Sequence, residues 1–275
     1  MEPLILIFIS ITTILIGFLS SMIGIGGNSL LIPILVIFLN LDIHVAIATM
    51  VFSSLFIGLS SLIVYFKNRV VDFKLAVLME AGTIPGAFLA PHISILIPTE
   101  ILTYIFVAAM ILISGYMGLS NHFKPAADNG KCNISKSAPQ KYYWIREYHY
   151  KDESRIAVVN VPLTITISFI IGLIVGLIGV AGGTMKVPFL TLVCGLPMII
   201  AVGTAFLMIT LTSISASLGY VFYGLIDFSI AIAIIIGLII GSQLGSRVAL
   251  KTSQKKLKII FSIVLFLISI MMLLT

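Results

Sequence analysis

Two glycine-rich motifs stand out as segments that could bind a ligand. Each follows a long apolar run and precedes a short one, and a proline (Pro33 or Pro188) follows about one helical turn later. Glycine allows the chain to open at membrane depth, and a helix that restarts there offers free N–H groups and a positive dipole end. Such an end favours an anion, whereas close helix packing through small residues is the alternative. The candidate substrate-binding residues of the motifs are Gly24, Gly26, Gly27, Asn28, Ser29, Gly179, Gly182, Gly183 and Thr184.

Two charged residues lie inside apolar segments. Lys186, two residues beyond Thr184, would cost about 2.5–3.5 kcal/mol at a helix centre unless it is paired or hydrated. It is either the counter-charge for a bound anion or a lysine that extends to the membrane interface. Glu80 is a candidate for proton coupling, because low dielectric favours a protonated carboxyl group, or it forms a salt bridge with Lys74.

Hydroxyl groups form a third candidate set. Thr49 and Thr204 occupy equivalent places near the starts of two long apolar segments. They could donate hydrogen bonds to a bound oxyanion, or bond back to their own helices.

Aspartate and tyrosine residues recur around two of the predicted turns. Asp72 and Asp227 follow Tyr65 and Tyr220 by seven positions. We interpret the aspartates as helix caps and the tyrosines as anchors at the membrane interface.

The composition requires a surface that faces lipid. Sixty per cent of the residues are apolar and 9% are charged, against about 25% charged in a soluble domain. The net charge of +6 comes from basic residues grouped in loops, which is typical of membrane topology and not of nucleic-acid binding. Two distant cysteines predict no metal site, and no cofactor is predicted. Apolar runs long enough to cross a bilayer occupy 4–23, 43–66, 75–91, 101–119, 157–178, 198–221, 228–245 and 259–274.

The sequence repeats itself at a fixed offset of 155 positions (172 minus 17), without a gap. The offset matches Gly17 with Gly172 and Pro33 with Pro188. It predicts an all-α integral membrane protein of two tandem repeats, 1–120 and 157–275, joined by a polar linker at 121–156. Each repeat has four long transmembrane helices and one short half-helix, 29–39 or 184–194, after the glycine-rich break.

Basic residues favour an inverted arrangement of the repeats. Four crossings per half would place ten Lys and Arg residues on one side of the membrane and five on the other. Five effective crossings place fifteen of the sixteen on one side and leave only Lys186 within the membrane. The positive-inside rule therefore favours inverted repeats with a cytoplasmic linker.

The duplicated break with its following proline resembles the TauE/SafE family of sulfite and organosulfonate exporters, over nearly the whole chain outside the linker. The resemblance implies transport of small anions such as sulfite, sulfonates and organic acids. Asn28 and Ala181 each replace a glycine that the other half retains. We therefore do not assign the family's substrate to this chain.

We therefore expect a multi-pass exporter of small anions in the cell membrane, working by alternating access. An anion channel and an intramembrane enzyme are the alternatives. An enzyme would need a carboxylate pair, a nucleophile–base pair or metal ligands, and Glu80 has no acidic partner in its segment or at its repeat position. We predict that the chain is not an enzyme. The expected partners are the small anion and the lipid bilayer, and the oligomeric state stays open.

Overall fold

Helices dominate the chain in a computed structural model, which describes residues 3–102, 104–105, 108, 143–150, 153–179, 182–253, 256–257, 259–260 and 263. The helices are α1 (Pro3–Ile23), α2 (Asn28–Leu39), α3 (Ile43–Lys67), α4 (Phe73–Ser94), α5 (Val161–Ile178), α6 (Gly183–Pro188), α7 (Met198–Phe222) and α8 (Phe228–Lys251). A π-helical turn, Phe189–Val193, continues α6. Two strands, β1 (Tyr143–Tyr150) and β2 (Glu153–Asn160), precede α5.

Five helices within the described ranges are long and apolar enough to cross a membrane: α3, α4, α5, α7 and α8. They contain 18 to 25 residues each, and about 20 are needed to span the hydrocarbon core. The prediction of a helical, multi-pass membrane protein is confirmed at this level. The predicted segments 101–119 and 259–274 lie almost entirely outside the described residues.

Aspartate side chains cap the N-terminal ends of two of these helices. The Asp72 carboxylate accepts a hydrogen bond from the Leu75 N–H at 3.1 Å. The Asp227 carboxylate accepts from the N–H groups of Ser229 and Ile230 at 2.9 and 3.0 Å. These bonds satisfy N–H groups that have no partner within the helix, so the predicted caps are confirmed.

Glycine allows helices from different halves to approach closely. A Cβ added to Gly82 of α4 would lie 2.3 Å from the Ile165 carbonyl oxygen of α5. A Cβ on Gly241 of α8 would lie 2.1 Å from the Ile14 carbonyl oxygen of α1. In lipid, helices gain no hydrophobic driving force from association, so close backbone packing of this kind holds them together. The first half therefore packs on the second through both α4–α5 and α1–α8.

The central helices α3 and α7 run in opposite directions. Thr49, near the start of α3, accepts a hydrogen bond at its hydroxyl from the N–H of Asp227, beyond the end of α7, at 3.0 Å. Thr204, near the start of α7, accepts one from the N–H of Asp72, beyond the end of α3, also at 3.0 Å. Each threonine thus ties its helix to the inter-helix turn of the other half.

An antiparallel hairpin occupies part of the predicted polar linker. β1 pairs with β2 from Tyr143 opposite Asn160 to Tyr150 opposite Glu153. The predicted boundary at residue 157 falls within β2, and α5 begins at Val161, where the Asn160 side chain accepts a hydrogen bond from the Leu163 N–H. The composition of this stretch, polar and charged with a cluster of Tyr and Trp residues, predicts a linker and no sheet.

The hairpin contacts the turn between α3 and α4 through Asp72. The Arg146 guanidinium donates to both carboxylate oxygens of Asp72, and the Tyr148 hydroxyl donates to one of them. Burial, reinforced by the hydrogen bond to Asp72, raises the pKa of Tyr148. Asp72 therefore joins the hairpin, the start of α4 and α7 at one place.

Candidate functional site

Both predicted breaks in the helices are present. α1 ends at Ile23 and α2 begins at Asn28, and between them the φ angles of Gly24, Gly26 and Gly27 are 86°, 83° and 85°. Side chains with a Cβ rarely adopt such angles. α5 likewise ends at Ile178, where Gly179 has a φ of 67°, and α6 begins at Gly183. Residues 180 and 181 lie outside the described residues.

The two breaks contact each other in the interior. The Asn28 side-chain amide donates to the Gly179 carbonyl oxygen at 2.8 Å. The Ser54 hydroxyl donates to the Asn28 side-chain oxygen at 2.5 Å. A Cβ added to Gly183 would lie 1.7 Å from the Gly24 carbonyl oxygen, so the two backbones touch and only glycine fits at position 183. The breaks thus form one central crossing contributed by both halves.

The restarting ends of α2 and α6 are buried at this crossing. Asn28 is 1% exposed, and both Ser29 and Thr184 are fully buried. The Ser29 hydroxyl has no hydrogen-bond partner among the residues that the structure describes. A buried hydroxyl without a partner is costly in a protein interior. A polar ligand at the start of α2 would supply the missing partner, and five other buried serine hydroxyls of the described residues also lack one.

Lys186 and Glu80 form a buried ion pair across the two halves. The Lys186 ammonium lies 2.6 Å from Glu80 Oε1 and also donates to the Thr212 hydroxyl and to the Met208 carbonyl oxygen at 3.3 Å. Thr212 Oγ1 lies 3.0 and 2.9 Å from the two Glu80 oxygens. The alternatives in which Lys186 reaches the interface and Glu80 pairs with Lys74 are therefore wrong, because each residue instead satisfies the other.

This pair holds two of the buried charges in the part of the chain that the structure describes. Among the described residues, the buried charged side chains are Asp72, Glu80 and Lys186. The three protons of the Lys186 ammonium all have acceptors, which is the full donor capacity of a lysine. Removal of one partner of such a pair leaves an uncompensated charge and costs about 3–5 kcal/mol. A ligand that binds the Lys186 ammonium must therefore replace one of its three acceptors, Glu80, Thr212 or Met208.

A small cavity lies between the crossing and the ion pair. Its volume is about 10 Å³, and its lining includes Asn28, Gly182, Thr212 and Ser213. That volume is enough for about one water molecule, and a sulfite or sulfonate does not fit. The described conformation is thus closed around this place.

Thr49 and Thr204 lie apart from one another. Each bonds at a different inter-helix turn, as described above, and each is fully buried. Their use as ligands for an anion stays a prediction, since in this conformation each hydroxyl already accepts a backbone bond. Tyr65 and Tyr220 are also fully buried and donate to the carbonyl oxygens of Ser21 and Gly176, both at 2.7 Å. Their interpretation as interfacial anchors is wrong, because each phenol group satisfies a backbone carbonyl in the interior.

Thr212 is the polar member of the site that sequence analysis missed. Its repeat counterpart is Ile57, just as Leu31 is the counterpart of Lys186 and Ile235 that of Glu80. A search for polar residues whose counterparts are apolar would have grouped all three. Within the described ranges, no cluster of three or more His, Cys, Asp or Glu side chains could hold a metal ion.

Comparison with known proteins gives a consistent result. The family model described as "Sulfite exporter TauE/SafE" matches residues 9–272. The chain is 28% identical over 261 residues to the probable membrane transporter protein YunE of Bacillus subtilis, covering 92% of this chain and 91% of that protein. It is 21% identical over 224 residues to the probable membrane transporter protein YdhB of the same organism, covering 80% of each chain. No solved structure matches the chain at a significant level.

Proposed function

Because the chain belongs to the TauE/SafE sulfite exporter family, we propose that it exports small anions such as sulfite, organosulfonates or organic acids across the cell membrane by alternating access. The observation that carries the proposal is the central crossing, where two interrupted helices meet beside the one buried lysine of the described part. Backbone N–H groups at two helix starts and an ammonium group together suit a negatively charged guest.

The proposed binding site combines the crossing with Lys186. The Ser29 hydroxyl, for which the described residues offer no partner, and the buried position of Thr184 support a polar guest at the two helix starts. Thr49 and Thr204 join the site only in a conformation that releases their bonds to Asp227 and Asp72. The proposed substrate ligands are therefore Gly24, Gly26, Gly27, Asn28, Ser29, Gly179, Gly182, Gly183, Thr184 and Lys186, with Thr49 and Thr204 in an open state.

Two inverted repeats give the alternating access. The opposite directions of α3 and α7, which are repeat counterparts, support inversion, as do the equivalent bonds of Thr49 and Thr204. Inverted repeats permit one half to rock against the other around a fixed midplane site. The halves are 1–120 and 157–275, and the joining segment, with its basic residues and hairpin, faces the cytoplasm.

The test is flux in proteoliposomes with sulfite, thiosulfate, methanesulfonate and small carboxylates. We expect saturable flux of at least one of these anions, because a carrier closes around each molecule it moves. Flux that increases without saturation would indicate a channel. Absence of flux with every anion would reject the proposal.

A matched pair of variants tests the site itself. Lys186→Gln removes the buried ammonium, and we expect at least a tenfold loss of flux. Lys74→Gln removes an exposed lysine at the start of α4, outside the proposed site, and we expect flux near that of the wild type. Equal flux in the two variants would exclude Lys186 from the site.

A further inference from the structure

We infer that Glu80 occupies the place of the substrate anion on Lys186 in the empty carrier, and that an entering anion displaces Glu80 into its protonated form. One proton then travels with each anion. The inference rests on the proposed transport function and adds its coupling and stoichiometry.

The contacts of Glu80 resemble those of a bound oxyanion. One oxygen, Oε1, lies 2.6 Å from the Lys186 ammonium, and the other, Oε2, lies 2.9 Å from the Thr212 hydroxyl. A carboxylate presents two oxygens about one carbon, and a sulfonate can present two of its three oxygens about sulfur in a similar way. A ligand that binds Lys186 and Thr212 therefore uses the two groups that now hold Glu80.

The Lys186 ammonium lies close to the central crossing, so an anion bound there can replace Glu80 without a long movement. The small cavity reaches Thr212 and Gly182, and a Cβ added to Gly182 would lie 3.2 Å from the Lys186 ammonium nitrogen. An anion at the helix starts is thus adjacent to the ammonium group. The cavity must widen in an open state, because its volume of about 10 Å³ admits only about one water molecule.

No other charged group of the described surroundings replaces Lys186 as a partner for Glu80. α4 packs against α5 and α7; α5 carries no titratable side chain, and α7 carries only Tyr220, which bonds to Gly176. On α4 itself, Lys74 and His92 are exposed near the two ends of the helix. A carboxylate that loses Lys186 here is therefore an unpaired buried charge, and protonation removes that charge.

Charge balance sets the coupling. The anion brings one negative charge to Lys186, and a proton from the same aqueous side forms an O–H bond on the Glu80 carboxyl group. The buried net charge of the site is then the same with and without substrate. On the far side the anion leaves, the proton returns to water, and the Glu80 carboxylate pairs with Lys186 again. A monovalent anion therefore crosses with one proton, without net charge movement.

The sequence repeat supports a stoichiometry of one proton for each anion. The counterparts of Lys186, Glu80 and Thr212 are Leu31, Ile235 and Ile57. The repeat-related positions thus lack the second ion pair that a second coupled proton would need.

The test uses radiolabelled methanesulfonate, whose charge does not change with pH, in proteoliposomes with a pH-sensitive dye inside. In the wild type we expect one proton to enter with each anion, and a flux that does not respond to an imposed membrane potential. In Glu80→Gln we expect anion flux without proton entry, and that flux should respond to the membrane potential. Glu100→Gln, which removes an exposed carboxylate, is the matched control and should behave as the wild type.

A second measurement covers the case in which Glu80→Gln does not fold. Infrared difference spectra of the purified wild type should show a protonated carboxyl C=O band when methanesulfonate is added, and Glu80→Asp should shift that band.

Absence of the band at saturating anion would overturn the inference. Wild-type flux without proton entry, or proton-coupled flux in Glu80→Gln, would also overturn it while leaving the transport function intact. Absence of flux with sulfite, thiosulfate, methanesulfonate and carboxylates would instead reject the transport function.

Discussion

The two halves satisfy their buried backbone groups in the same way, whereas their buried charges differ. Tyr65 and Tyr220 donate to carbonyl oxygens at the same distance of 2.7 Å, and the Thr49 and Thr204 bonds are both 3.0 Å long. The ion pair, by contrast, occurs once, and its counterpart positions hold Leu31 and Ile235. Contacts that build the scaffold thus follow the repeat, whereas the ion pair, with Glu80 from the first half and Lys186 from the second, has no repeat-related copy.

This contrast separates folding from transport. A contact present in both halves serves the packing that both halves need. A contact without a repeat-related copy was free to specialise, and here it combines the two ionisable groups that an anion carrier can use. Variants of the ion pair therefore test both transport and stability, and variants in the shared contacts test stability.

The largest effect on stability is expected from Lys186→Leu, which introduces the residue found at the counterpart position. The variant leaves the Glu80 carboxylate buried without its partner, so we expect a loss of about 3–5 kcal/mol. Thermal unfolding in detergent measures it. Leu31→Met, which keeps the apolar volume at the buried counterpart position, is the comparison and should cost less than about 1.5 kcal/mol. A melting temperature for Lys186→Leu equal to that of the wild type would show that the ion pair does not stabilise the fold.

A smaller and symmetrical effect is expected from the two tyrosines. Tyr65→Phe and Tyr220→Phe each leave one buried carbonyl oxygen without its donor, which costs about 1–3 kcal/mol. Because the two bonds have the same length and burial, we expect the two losses to agree within about 0.5 kcal/mol. A large difference between the two losses of unfolding free energy would show that the two tyrosine bonds are not equivalent.

The smallest effect concerns the hairpin, which contacts only one of the two equivalent turns. The pKa of Tyr148 is raised by burial and by Asp72, so the phenol's contribution to hairpin docking is fully present below its unfolded value of about 10 and is lost as pH rises above it. Fluorescence of Trp144, the one tryptophan of the chain, should therefore change only in alkaline solution. Tyr148→Phe should remove that change; an identical titration in this variant would contradict the assignment.

Local features were predictable from sequence, and long-range pairings were not. The helix breaks follow from glycine and proline signals within a few residues, and Asp72 and Asp227 cap helices through N–H groups two or three residues away. The Glu80–Lys186 pair joins residues 106 positions apart in different halves. No local pattern links the two residues, and from sequence the nearby Lys74 is the more obvious salt-bridge partner for Glu80.

Two further differences have identifiable causes. Thr212 has an unlike residue, Ile57, at its repeat-counterpart position, so a comparison of matching residues does not reveal it. Charge content alone does not reveal the hairpin, because its signal is the alternation along the strand. Along β1, Trp144, Arg146 and Tyr148 are partly buried while Ile145 and Glu147 are exposed, which is the two-residue period of a strand.

The most direct test replaces the ion pair with its apolar counterparts, in the double variant Lys186→Leu/Glu80→Ile. Removal of both charges leaves neither of them unpaired, so we expect thermal stability within about 1–2 kcal/mol of the wild type. We expect no saturable flux of sulfite or methanesulfonate in proteoliposomes, because the counter-charge for the anion is gone. A double variant that folds and transports either anion at the wild-type rate would contradict the central claim that the anion binds beside Lys186 at the crossing of the two broken helices.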